Sequence, residues 1–220
     1  MEANKITLKT LAISIAAVFA IETVFRLAIS GQPGFHLPAL GIIRCMETLF
    51  LFIIAHRFEK NPNAIGLSRS KMLPGLLRGL IWCTCFGIAA GVLFLVSFAA
   101  GINPLNLVNT PLPSAPRQIF IFFLVGGIFG PIWEEIFFRG IIFGFFRRWG
   151  VYAAILISTA LFVLPHYDGH HLPLTQIVGG IVFAIAYEKE KNLMVPVTIH
   201  CLGNMAIFSL TFFPDAISLS

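Results

Sequence analysis

Apolar residues occupy seven blocks along this chain, each closed by a short polar or turn-forming stretch, and each block is long enough to predict a helix. The first runs from about Leu11 to Ile29, after Lys5 and Lys9, and the second from about Pro38 to Ala55. A basic connector over 56–75, with Arg57, Lys60, Arg69 and Lys71, precedes a third block from about Leu76 to Ala99. The end of that connector, 71–78, is expected to lie along the membrane interface. An uncharged loop rich in Pro and Asn, 101–116, leads to a long fourth block from about Gln118 to Phe146. At about 1.5 Å per residue the fourth block exceeds a bilayer core of about 30 Å, so tilt or a bend at Gly130-Pro131 is expected. Gly126, Gly127 and Gly130 would let a neighbouring helix approach closely. The fifth block, about Tyr152 to Leu164, ends at Pro165-His166; the sixth runs from about Leu172 to Tyr187 and the seventh from about Leu193 to Phe213.

Composition turns this pattern into a class. Of 220 residues 57% are hydrophobic and 11% charged, with a mean hydropathy of +0.88. Soluble domains carry about 45–50% apolar and about 25% charged residues, so this excess cannot be buried in one soluble core. The expected fold is all-α, a transmembrane bundle of about seven spans (six to eight). It forms a single membrane domain over 1–220 without internal repeats. Glu22 and Arg26 interrupt the first block, and no clear small-residue cleavage site precedes them, which argues against a signal peptide.

The formal charge of +5 is spread between the apolar blocks, as expected for loops anchored at a membrane face rather than for nucleic-acid binding. An internal N-terminus puts Lys5, Lys9, the basic connector, Arg147-Arg148 and Lys189–Lys191 on one side. The opposite loops then hold only Arg117 among Lys and Arg, which predicts an N-in protein of a prokaryotic cytoplasmic (inner) membrane. Cys45, Cys83, Cys85 and Cys201 all lie in apolar segments and form no C-x-x-C pair, so they read as buried, unreactive thiols.

Charge inside the blocks carries the chemistry. Glu22/Arg26 and Arg44/Glu47 have helical spacing and are expected to neutralise one another in pairs, with substrate contact as the alternative. The fourth block holds Gly130-Pro-Ile-Trp-Glu134-Glu135-Ile-Phe-Phe-Arg139. Arg139 follows Glu135 by four residues and shares its helix face, whereas Glu134 points about 100° away without a partner in its own helix. Three ionisable residues within six are costly at membrane depth and point to function, against a neutralised structural knot. Phe162-Val-Leu-Pro-His166 closes the fifth block, and His200-Cys-Leu-Gly-Asn204 places an imidazole and an amide on one face of the seventh.

Together these residues supply a base, an orienting cation and hydrogen-bond donors, the groups that peptide hydrolysis by activated water requires. There is neither a G-x-S-x-G elbow nor an H-E-x-x-H zinc motif. The three motifs, in this order, resemble the CAAX protease and bacteriocin-processing (CPBP/ABI) family of intramembrane glutamate-type endopeptidases. The resemblance covers the C-terminal half, with a catalytic core at about 118–213.

It implies that Glu134 and His166 activate water, that Glu135 and Arg139 organise the site, and that His200 and Asn204 favour the oxyanion. It also implies no obligatory metal, although the ligand types alone would permit a divalent ion. The substrate would be a membrane-associated peptide or protein: a CAAX-type tail, a leader peptide or a C-terminal sorting tail. Two other classes use the same residues: a secondary transporter relaying protons or ions, and a non-catalytic scaffold or bacteriocin-immunity protein. Asp168, His170 and His171 form an extra cluster beyond His166, expected as a wet interfacial loop, or as metal ligands if folded back over Glu134. Counting residues from the basic ends places Glu134, His166 and Asn204 about 18–22 Å from that face, at or slightly beyond mid-membrane.

Overall fold

A computed structural model describes residues 6–29, 36–59, 61, 63–108 and 110–212. Lys5, residues 30–35, Lys60 and the tail from 213 lie outside them. Among the described residues the chain forms seven long helical segments, one short 3-10 turn at Pro104–Leu107 and no strand: α1 (Leu8–Ile29), α2 (His36–Phe58), α3 (Arg69–Ala99), α4 (Pro116–Trp149), α5 (Val151–His166), α6 (Leu174–Glu190) and α7 (Met194–Leu210). The first four are long and apolar enough to cross a membrane, and α5 and α7 are shorter apolar helices. At about 1.5 Å per residue, α5 to α7 span only about 24–26 Å, less than a bilayer core of about 30 Å. The protein is an integral membrane protein built from an all-α bundle.

Packing follows small residues. α3 lies along α7, and a Cβ on Gly79 would fall 2.5 Å from Cβ of Thr198, so only glycine permits that approach. Two of the three glycines expected to admit a neighbour do so: a side chain at Gly126 or Gly127 would meet Phe208 or Met205 of α7 at about 3 Å, whereas one at Gly130 would meet only the Val125 carbonyl of its own helix. α1 packs on α2, α5 on α6, and α6 on α7, while α4 touches α2, α5 and α7 and so forms the centre.

Three expectations change. The cysteines are not all buried: Cys45 and Cys85 lie exposed on the bundle surface, and Cys83 and Cys201 are half-buried. Residues 71–78 do not form a separate interfacial segment; α3 starts at Arg69 and runs unbroken for 31 residues, with Pro74 near its start. Pro74 removes one backbone donor, but Ser70, four residues earlier, is exposed and its carbonyl can be met by water. α4 also departs from a simple bent helix. It holds π-helical stretches at Val125–Phe129 and Glu135–Phe143, with an α-helical turn, Gly130–Glu134, between them. π geometry is rare and concentrates at functional sites. Here the second stretch starts at Glu135.

The basic ends of the helices meet at one face. Arg147 makes a two-pronged pair with Glu188 at 2.9 Å each, and Lys191 adds a third contact to the same carboxylate. Asn192 donates to the carbonyl of Lys71 at 2.8 Å, and Arg148 donates to the carbonyls of Phe145 and Ile6. At the opposite end Thr211 donates to the carbonyl of Thr110 at 3.0 Å.

Candidate active site

Four helices meet around Glu135. Its carboxylate and the guanidinium of Arg139 are wholly buried, and Arg139 Nη1 donates to Glu135 Oε1 at 3.0 Å, the i, i+4 contact that the spacing predicts. Nη2 donates to the carbonyl of Gly180 on α6 at 3.1 Å. The rings of Phe162 and Phe183 lie 4.6 and 5.3 Å from the guanidinium carbon. The cation thus has a carboxylate, a carbonyl and two ring faces in place of water.

His200 extends this cluster. Its Nδ1 lies 2.8 Å from Glu135 Oε1, the oxygen that also receives Arg139. A carboxylate oxygen accepts, so Nδ1 carries the proton and Nε2 faces the other way. That nitrogen lies 3.5 Å from Oε2 of Glu134. The ring is held flat against Phe183, with centroids 4.5 Å apart and planes 24° apart. With Nδ1 fixed as a donor, attraction between Nε2 and Glu134 requires one proton shared between them. The Glu134 side chain is 18% exposed and that of Glu135 is not exposed at all. Of the adjacent carboxylates, Glu134 is therefore the one that can meet water or substrate.

His166 stands at the exposed edge of this cluster. Its Nδ1 lies 2.9 Å from the carbonyl of Phe162, which can only accept, so in the neutral ring Nε2 carries the lone pair. The ring of Phe162 links the parts, with centroids 5.1 Å from His166, 5.8 Å from His200 and 5.4 Å from Phe138. This explains the F-x-x-x-H spacing: the carbonyl of Phe162 orients the histidine while its ring covers Arg139.

Asn204 has a task that its motif does not disclose. In the first π stretch Gly130 donates to the carbonyl of Val125, five residues back. The next donor in that register would serve Gly126, but it is Pro131 and has no N–H. Asn204 Nδ2 donates to that carbonyl of Gly126 at 2.8 Å. A neighbouring helix thus fills the gap left by a membrane proline. The second N–H of the amide is what an oxyanion contact would use.

Asp168, His170 and His171 form an exposed turn. Oδ1 of Asp168 accepts both the His170 and the His171 amide at 2.8 Å, and these bonds hold its carboxyl below the usual carboxylate range. Among the described residues no three of His, Cys, Asp and Glu are grouped so as to hold one metal ion.

The N-terminal charges require a correction. Glu22 contacts Arg26 only at 3.6 Å, and Arg26 is 81% exposed; the close partner of Glu22 is Arg44, at 2.8 Å across α1 and α2. Arg44 also holds Glu47 at 2.5 Å and lies 3.9 Å over the ring of Trp133, which precedes Glu134. Arg44, Trp133 and Phe183 therefore border the site without belonging to any of its three motifs. Trp133 adjoins the Glu pair and Gly179-Gly180 marks a close approach on α6, but neither signal names the partner.

Residues 116–206 match the family described as Type II CAAX prenyl endopeptidase Rce1-like. Over 213 residues the chain is 29% identical to the putative membrane peptidase YdiL of Bacillus subtilis, covering 90% of this chain and 84% of that protein. Over 164 residues it is 38% identical to the membrane-embedded CAAX protease MroQ of Staphylococcus aureus, covering 69% of this chain and 65% of that one. The UPF0177 protein YaiH of Lactococcus lactis is 27% identical over 105 residues, which is 46% of this chain and 44% of YaiH. No solved structure matches the chain. The matched segment contains all three motifs and the helices that bring them together, and over it this chain is similar to the Rce1-like CAAX endopeptidase family of membrane peptidases.

Proposed function

We propose that this protein is an intramembrane glutamate-type endopeptidase that hydrolyses one peptide bond of a membrane-associated peptide or protein tail. The observation that carries the proposal is the line from Arg139 through Glu135 and His200 to Glu134, buried at one end and open at the other. Glu135, neutralised by Arg139, fixes the tautomer and tilt of His200, and His200 in turn faces the partly exposed carboxylate of Glu134.

In the resting state the proton of the couple lies on His200 and Glu134 is a carboxylate. Glu134 takes a proton from water as the oxygen attacks the scissile carbonyl carbon. The carbonyl π pair moves onto oxygen, where Nε2–H of His200 and the second N–H of Asn204 stabilise it. Collapse re-forms the carbonyl and breaks the C–N bond, while Glu134 delivers its proton to the departing amine. The lone pair on Nε2 of His166 gives the attacking water a second acceptor. No metal takes part in this scheme.

The substrate class is a CAAX-type tail, a leader peptide or a C-terminal sorting tail, and the orientation is N-in in a prokaryotic cytoplasmic membrane. The clustering of basic helix ends at one face supports that orientation. Reconstitution into liposomes with a panel of these three peptide types tests the reading. Cleavage of at least one type, with a loss of about 10²–10³-fold in His200→Ala, supports it. Absence of cleavage across the panel, or an unaffected His200→Ala protein, would overturn it.

A further inference from the structure

At the basic face, away from the catalytic cluster, the end of α2 and the connector beyond it enclose a groove of about 420 Å³. That volume lies within the range of small-molecule sites, about 300–1,000 Å³. Its walls are apolar, with Ile53, Ala55, Ala64 and Ile65 among them, and His56 and Arg57 form its polar edge. Among the described residues no acidic side chain lines it. Ile53 is 52% exposed on the outer side of α2, and His56 and Arg57 follow within one turn. The groove therefore runs from the bilayer-facing surface to a cationic rim. A second cation adjoins that rim: Lys9 Nζ lies 4.4 Å from the ring of Phe58, whose ring is 6.0 Å from the Arg57 guanidinium carbon. The nearby acid, Glu59, is engaged by the N–H and hydroxyl of Thr7 at 2.9 and 3.0 Å.

We propose that this groove binds one anionic phospholipid, with its acyl chains against Ile53 and its phosphate between Arg57, His56 and Lys9. A soluble partner would not require a channel opening toward the hydrocarbon, and a neutral lipid would leave the cations unanswered. The inference rests on the membrane fold and not on the proposed chemistry.

The site is placed to matter to the catalytic helix. The floor residue Ile65 would contact a Cβ on Gly140 at 3.1 Å, directly after Arg139. Gly66, at φ +75°, accepts the amide of Leu193 at 3.0 Å, and a side chain there would run into Tyr187. Filling the groove thus steadies a turn wedged between α4, α6 and the start of α7.

Delipidated protein in neutral detergent, titrated with phosphatidylglycerol or phosphatidylcholine and read by native mass spectrometry and thermal unfolding, tests the proposal. A basic residue near an anionic headgroup contributes about 1 kcal/mol, or about fivefold. Arg57→Gln with Lys9→Gln should therefore lower the preference for phosphatidylglycerol about 25-fold and remove its effect on the melting temperature. Arg57→Lys should keep most of both, and Arg69→Gln with Arg78→Gln, an equal charge loss outside the groove, should leave both unchanged. Equal binding of the two lipids by the wild type would overturn the proposal. So would equal loss in the Arg69/Arg78 control, or the same thermal shift from inorganic phosphate.

Discussion

Removing Arg139 while leaving Glu135 in place should be among the most damaging single changes in this protein. Arg139→Met keeps much of the side-chain volume but removes both donors. Glu135 would remain wholly buried with His200 as its only partner among the described residues, where its Oε2 has none. The carbonyl of Gly180 also loses its side-chain donor, and the rings of Phe162 and Phe183 lose the cation between them. Breaking a buried pair by removing one partner costs about 3–5 kcal/mol, against a total stability of about 5–15 kcal/mol for typical domains. Removing both charges is far less costly, since no buried charge is left alone. Arg139→Met with Glu135→Gln should therefore recover about 2–4 kcal/mol over Arg139→Met alone. Its catalysis should not recover, because His200 then lacks the carboxylate that orients it. Reversible unfolding of the four proteins in mixed micelles, combined as a double-mutant cycle, measures this directly. A loss below about 1 kcal/mol in the single variant, or additive losses in the double, would refute the reasoning.

Other expectations follow from individual contacts. Asn204→Ala leaves the Gly126 carbonyl without its donor and should cost about 1–3 kcal/mol; adding Pro131→Ala supplies a backbone N–H and should return most of it, as chemical unfolding would show. Exhaustive chelation should leave cleavage intact, whereas a loss restored by one divalent ion would move Glu134, His166 and His200 into a ligand role. In a cysteine-free background, Thr110→Cys and His171→Cys should react with an impermeant reagent added outside the cell; labelling only from the cytoplasm would invert the orientation.

Much of the site was legible because its decisive spacings are local. Glu135 and Arg139 sit four residues apart on one helix, and Phe162 and His166 repeat that interval, so each pair could be read without the fold. The direction of Glu134 away from that pair was also legible, but its partner was not, since His200 lies on another helix. The same limit applies to Glu22, where the local candidate Arg26 turns outward and Arg44 answers from α2. The stretch 71–78 is expected from its sequence to lie along the interface before the third span. In the structure Pro74 sits early in α3, and Gly75 is needed where Asn192 and Met194 approach. The π register around Glu135 has no periodicity distinguishable from an α-helix over so short a run. Pro131 is expected to bend α4, but an α register would leave Gly127 unpaired; the π register moves the gap to Gly126, and Asn204 answers it from another helix.

The most direct measurement is cleavage of a membrane-anchored peptide in ¹⁸O-labelled water by the purified, liposome-embedded protein, with Glu134→Gln as the paired variant. The wild type should release a fragment with one ¹⁸O in its new carboxyl group and form no covalent adduct with the peptide. Glu134→Gln should be slower by about 10²–10⁴-fold, the usual contribution of a general base, while unfolding at the wild-type temperature. A folded Glu134→Gln protein that cleaves at the wild-type rate, or a peptide trapped covalently on the enzyme, would contradict direct activation of water by Glu134.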